Sequence, residues 1–285
     1  MSKYNSIVLY HVGTKLPNHL YDCIKKIKSY SNIPIYLLTD DLTSIIDGII
    51  ICNIKNYQDL EWLKKLSYFS YDSMKEMWRG SCFRFFYIEK LIQEKGLSNI
   101  LHFDNDVLLF ENPDKLIDLF KENYNTFAIT AHNSNEVVAG MTFIKNENSL
   151  NEINKFLKNE ICLDQNILSM KYDGFPNEMR LLSESKLCEY IPILPDTISD
   201  SPRYNTNYNL FNSVFDPSSY GQFLGGTFSG NQPGWFGTHQ EIGRNISENK
   251  IKVIMENKNP YLIFQDQKIK INNLHIHSKK TELFI

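Results

Sequence analysis

Two aspartates one residue apart, Asp104 and Asp106, lie inside the run ILHFDNDVLLFENP, residues 100–113. The flanking ILHF and VLLF are apolar enough to be buried, and ionised carboxylates between them cost several kcal/mol unless something pairs with them. Hard oxygen ligands held this close suit a divalent cation such as Mg2+ or Mn2+, which offsets their repulsion and can bridge to phosphate oxygens. In SCFRFFYIEKL (81–91), Arg84 shares a helical face with Tyr87, Ile88 and Leu91. A guanidinium placed there is partly buried and needs an anion, either Asp106 or a phosphate. Near the other end, LHIHSKK (274–280) alternates, so His275 and His277 point to one side of a strand. The plain readings of the same residues are a solvated D-x-D turn, a structural salt bridge and structural histidines.

The elements that must position these groups follow from periodicity. SIVLYHV (6–12) reads as a strand, and HLYDCIKKIKSY carries Leu20, Cys23, Ile24 and Ile27 at helical spacing. IPIYLLTDD (33–41) is a second strand, so the chain opens with a βαβ unit and a parallel sheet joined by a right-handed crossover. DGIIICNI (47–54) is a third strand, Tyr57 to Lys95 is mostly helical, and Gly96 is placed to cap it. The D-x-D run follows directly, which puts both carboxylates at the carboxyl edge of the sheet, where open α/β sheets bind ligands. Pro113 opens the helix PDKLIDLFKE, TFAITAH and VAGMTFIKN are strands, and SLNEINKFLKNE is amphipathic with Leu150, Ile153, Phe156 and Leu157 on one side.

From about residue 196 the texture becomes loop-rich, and seven of the 13 glycines fall between Gly221 and Gly243. Aromatic residues, among them Tyr208, Phe211, Trp235 and Phe236, argue against disorder, which leaves a functional lid as the expectation. The chain closes on β-rich KVIMENKNPYLIF and KIKINNLHIHSKK.

Composition excludes several classes. At 42% hydrophobic and 22% charged the chain is ordinary for a globular protein, and its formal net charge of −3 lacks the basic excess that binds nucleic acid. Five cysteines, scattered with no C-x-x-C pair, suggest neither a disulfide framework nor a thiolate zinc site. The opening residues are too short for a signal peptide and no apolar run approaches ~18 residues, so no transmembrane segment and a cytoplasmic protein are expected.

The D-x-D at the end of a strand resembles that of the GT-A fold glycosyltransferases, particularly the family 8 type, and further motifs match in the same order. The Arg84 helix is similar to the arginine-bearing helix before the motif. VVAGMTFIKN looks like the strand behind the donor sugar, with Gly140 leaving room for it. CLDQNILSM resembles the D-Q-x-x-L segment, which implies that Asp164 contacts sugar hydroxyls and that Gln165 faces the anomeric carbon. The resemblance also brings a C-terminal histidine to the metal and a lysine to the phosphates, which His277 with Lys279 matches best. The family's usual ending is absent, and the choice between His275 and His277 stays open. FDPSSYGQFLGG resembles a segment preceding the acceptor loop.

What the resemblance implies is a single α/β domain of GT-A fold over residues 1–285, with a mixed sheet and helices on both faces. Residues 1–112 would form the nucleotide-binding half and 113–285 the acceptor side, including an aromatic loop at 196–245. The activity implied is metal-dependent transfer of a hexose from a nucleotide sugar, a UDP-hexose, to a glycan or other hydroxyl acceptor, with retention. Mn2+ or Mg2+ would sit on Asp104, Asp106 and His277, and His11, Asp40, Arg84, Lys279 and Gly140 would line the donor site, Asp40 or its neighbour Asp41 meeting ribose or base. An inverting reaction would instead need a base, and Asp216, Glu241 or Asp164 could supply it. Two rival readings remain: a haloacid-dehalogenase-like phosphatase with Asp104 as nucleophile, and a catalytically silent carbohydrate-binding protein of the same fold.

Overall fold

The computed structural model describes residues 5–13, 15–66, 73–133, 136–163, 167, 170–171, 177–184, 192–198, 206–234, 237–238 and 240–285. Four parallel strands, β1 (Ser6–His11), β2 (Ile35–Thr39), β3 (Ile50–Asn53) and β4 (Ile100–Phe103), form one side of a six-stranded sheet. The antiparallel strands β7 (Glu136–Ile144) and β6 (Phe127–Asn133) complete it in the order β3-β2-β1-β4-β7-β6. The fold is therefore α/β with a mixed sheet.

Alternation along the strands sorts side chains between two helical layers. Ile7, Leu9, Leu101 and Phe103 pack with α1 (Asn18–Lys28) and α3 (Pro113–Asn123). Val8, Leu38 and Ile100 pack on the other face with α2 (Ser73–Lys95) and α4 (Glu147–Ile161). Leu20, Cys23, Ile24 and Ile27 of α1 are buried, as their spacing predicts, and each aliphatic side chain so covered contributes roughly 1.5–3 kcal/mol. Gly96 ends α2 in the left-handed region, at φ 64°, where a side chain would be strained. Asn112 caps α3 by accepting the Asp114 N–H at 2.8 Å, with Pro113 at the first helical position.

The third strand is shorter than the sequence suggests, and Gln58–Lys65 is a 3-10 helix rather than part of the α2 run. The D-x-D turn also separates β4 from β5 (Val107–Leu109), which leaves the main sheet and pairs antiparallel with β12 (Asn273–His275).

Past α4 come α5 (Glu178–Leu181), α6 (Tyr208–Phe211), β8 (Ser213–Val214), α7 (Tyr220–Gly225) and α8 (Glu241–Ser247). The strands β9 (Lys252–Glu256), β10 (Asn259–Phe264) and β11 (Gln267–Ile271) join β8 in a four-stranded sheet, and Leu108, Tyr220, Leu274 and Ile276 belong to the apolar cluster that covers it. This third core returns the chain end to the edge of the first sheet. Among the described residues no helix is long and apolar enough to cross a membrane.

Candidate metal centre

Asp104 follows the last residue of β4, and a turn closed by Val107 N–H donating to Asp104 O at 3.1 Å carries the chain into β5. The middle residue of the turn is bound on two sides. Asn105 Nδ2 donates to His11 Nδ1 at 2.9 Å, and Asn105 Oδ1 accepts from His19 Nε2 at 3.3 Å. His11 Nε2 donates in turn to Lys15 O at 3.2 Å, so this bonding pattern assigns a neutral His11, consistent with burial lowering its pKa. Asn105 is thereby tied to β1 and α1. His11, expected at the donor, has one ring nitrogen on this turn and the other on the loop after β1, where Asp40 accepts the Gly13 N–H at 2.9 Å. Asp41 is held well below the usual carboxylate range by hydrogen bonds from Ser44 and Thr43.

The pairing of β12 with β5 sets His275 opposite Val107, one residue from Asp106. His275 Nε2 lies 3.1 Å from Asp106 Oδ1 and 3.7 Å from Asp104 Oδ2. The His277 ring meets the His275 ring edge-on, with centroids 4.2 Å apart, and His277 Nε2 is 2.8 Å from Ser218 Oγ. One ligating atom from each of Asp106, His275 and His277 falls within 4.8 Å of the others. Both histidines left open by the sequence therefore reach the cluster, and His275 is the one that touches both carboxylates.

The electrostatics of these groups is that of a set that could hold a cation. Burial alone would raise the Asp106 carboxyl, but His275 and Lys279, whose Nζ is ion-paired to Asp106 Oδ2, hold it well below its ordinary value. His277 is pushed down to about 3 by burial and then by His275, so its imidazole is neutral with a lone pair to offer. Carboxylate oxygens with two imidazole nitrogens form a donor set that fits Mn2+ better than Mg2+, which prefers oxygen throughout. The space beside Gly140, expected to receive a sugar, holds the His275 ring: a Cβ there would stand 2.7 Å from Nδ1. That Nδ1 is buried with no hydrogen-bond partner among the described residues.

Arg84 is 4% exposed, and the anion it meets is Asp104, not Asp106. Its Nη2 also reaches Ala139 O at 3.4 Å and Glu178 Oε1 at 3.6 Å. Burial lowers the Arg84 pKa, with Glu178 the strongest opposing influence. Burial likewise raises the Glu178 carboxyl against the pull of Arg84. Sequence reasoning missed Glu178, because it sits at the start of a four-residue helix with no motif around it.

Asp216, considered as a base for an inverting reaction, is 2% exposed, and its carboxylate accepts the N–H groups of Ser219, Tyr220, Gly221 and His275. It organises the backbone behind His275 and has no lone pair to spare for that role. Glu241 pairs with Arg244 in the first turns of α8. Asp164, Gln165, Trp235 and Phe236 lie outside the described residues.

No protein-family model matches the chain, and no curated protein sequence matches it. Among solved structures, it is similar to mouse xyloside xylosyltransferase 1 in its apo form, with 11% identity over 67% of this chain and 85% of that one and a TM-score of 0.46. A glycosyltransferase involved in the glycosylation of the major capsid of PBCV-1 shares 13% identity over 67% of this chain and 81% of its own, with a TM-score of 0.37. GlyE of Streptococcus pneumoniae TIGR4 shares 14% identity over 67% of this chain and 46% of its own, with a TM-score of 0.41. These are partial likenesses, and the functional reading rests on the site itself.

Proposed function

We propose that this chain is a glycosyltransferase of GT-A architecture that moves a hexose from a nucleotide sugar, a UDP-sugar, to a glycan or other hydroxyl acceptor, using Mn2+ and retaining configuration. One observation carries the reading: Asp104, Asp106, His275 and His277, from distant parts of the chain, converge at the carboxyl edge of the parallel strands. The two carboxylates and two imidazoles would hold the cation, whose positive charge would stabilise the departing diphosphate. Arg84 fixes Asp104, while the partly exposed Lys279 can turn from Asp106 toward a phosphate oxygen. Asp164 and Gln165 are assigned to the sugar, the first to its hydroxyls and the second to the anomeric side. The work of these residues is positional and electrostatic.

A phosphatase with Asp104 as nucleophile is disfavoured by the Arg84 pair, which occupies Asp104 Oδ1. A silent carbohydrate-binding protein has no use for a half-buried cluster of two acids and two histidines. Incubation with a panel of nucleotide sugars, following release of nucleoside diphosphate, tests the proposal. One UDP-sugar should be hydrolysed slowly with Mn2+ and faster when its acceptor is present. Turnover of simple phosphomonoesters, or hydrolysis unchanged in chelator, would overturn it.

A further inference from the structure

The guanidinium of Arg84 is shared by two acids on opposite sides. It is ion-paired with Asp104, a carboxylate of the candidate metal centre, and its Nη2 stands 3.6 Å from Glu178 Oε1, with 5% and 8% of the Arg84 and Glu178 side chains exposed. A cation and a buried guanidinium compete for the same carboxylate, because each is stabilised by the charge the other would neutralise. Whatever draws Arg84 away from Asp104 therefore strengthens Asp104 as a ligand. Glu178 is placed to do so. Its Oε2 and the Arg84 Nε are both buried without a hydrogen-bond partner among the described residues, so the link between the two side chains is chiefly one of charge. α5, which carries Glu178, packs against β7 and α2, and this sets the carboxylate beside Arg84 although no motif announces it.

We infer that Glu178 is a positioning residue for the metal centre: by sharing the Arg84 guanidinium it leaves Asp104 available to a divalent cation. The inference rests on the metal-dependent reading above and adds to it a third acid that touches neither the cation nor substrate. Its consequence is specific. Removing the Glu178 charge leaves Arg84 wholly to Asp104, and the cation must then displace a stronger competitor.

The test is Mn2+ binding to the full chain without nucleotide, read from the free-ion electron paramagnetic resonance signal, alongside thermal unfolding in chelator. E178Q keeps the shape of the side chain and is expected to weaken Mn2+ about tenfold. In an R84M background the competitor is gone, so adding E178Q should change the Mn2+ affinity less than about twofold. Unchanged affinity in E178Q, or equal weakening in both backgrounds, overturns the inference, the second because it would show a plain field effect on the ion. A merely structural Glu178 would lower the melting temperature in chelator and leave the affinity alone. Should E178Q not fold, E178D, which keeps the charge but withdraws it from Arg84, is expected to bind Mn2+ several-fold more weakly, and wild-type affinity in that variant overturns the inference. If the wild-type chain itself binds no Mn2+, the metal reading fails first, which separates the two failures.

Discussion

At the scale of single residues the candidate centre is a balance of buried charges. Asp106 is almost completely covered, yet it stays ionised because His275 and Lys279 stand against it. D106N should weaken Mn2+ at least ~100-fold, since it removes a ligand charge and leaves the Lys279 ammonium beside the cation without its partner. The fold should survive in chelator because the Lys279 side chain, 39% exposed, can turn to water. Titration with Mn2+ and a melting curve decide this, and wild-type Mn2+ binding by D106N would remove Asp106 from the ligand set. His102 gives a separate test of burial. Its Nδ1 donates to Val8 O at 2.8 Å, its Nε2 has no hydrogen-bond partner among the described residues, and burial pushes its pKa down from 6.5 to about 3. The unfolded chain therefore binds the extra proton first, so this contribution to stability is complete above pH 6.5 and is lost as pH falls toward 3. Between pH 6.5 and 5 the loss is about 2 kcal/mol. H102N keeps a donor for Val8 and cannot take up a proton, so urea unfolding should show its deficit against wild type shrinking as pH falls through that window. A constant difference would mean that His102 is hydrated or already charged.

Among elements, the contact between β12 and its surroundings is the most exacting. A Cβ on Gly221 would lie 2.3 Å from the His275 carbonyl oxygen and 2.7 Å from its nitrogen, both backbone atoms that cannot move without breaking β12. A Cβ on Gly140 would press on the His275 ring, a side chain, and otherwise make an ordinary contact with Val138 Cγ1 at 3.5 Å. G221A is therefore expected to destabilise the fold by ~3 kcal/mol, whereas G140A should lose about 1 kcal/mol yet weaken Mn2+ by displacing the imidazole. Urea unfolding in chelator separates them, and equal stability of the two variants would contradict the close approach of α7 to β12. Much at this scale was legible in the sequence. The 3.6-residue spacing of Leu20, Cys23, Ile24 and Ile27 gave α1, Pro113 and Gly96 marked helix ends, and the strands of the opening βαβ unit came within two residues of their observed limits. The 3-10 helix at Gln58–Lys65 falls inside the longer helical stretch that the sequence predicts, because local periodicity does not distinguish the two pitches over so few residues.

For the whole molecule, the return of the chain end to the first sheet makes the centre depend on the complete fold. A nucleoside diphosphate bound through a cation should stabilise all of it: UDP at about a hundredfold its dissociation constant should raise the melting temperature by roughly 4–5 °C with Mn2+ and not in chelator. An equal rise without metal would place the diphosphate on protein groups alone. By itself the sequence determined the α/β class, the elements flanking Asp104 and Asp106, and the residue types able to bind a cation, because these follow from local spacing and from the cost of burying charge. Only the tertiary structure decided which groups meet. The antiparallel register of β12 on β5 brings His275 to both carboxylates, α5 packing against β7 and α2 sets Glu178 beside Arg84, and Asn105 is fixed by His11 and His19. Each of these pairs is far apart along the chain, and nothing local in a sequence encodes a contact whose partner is chosen by the packing of a distant element.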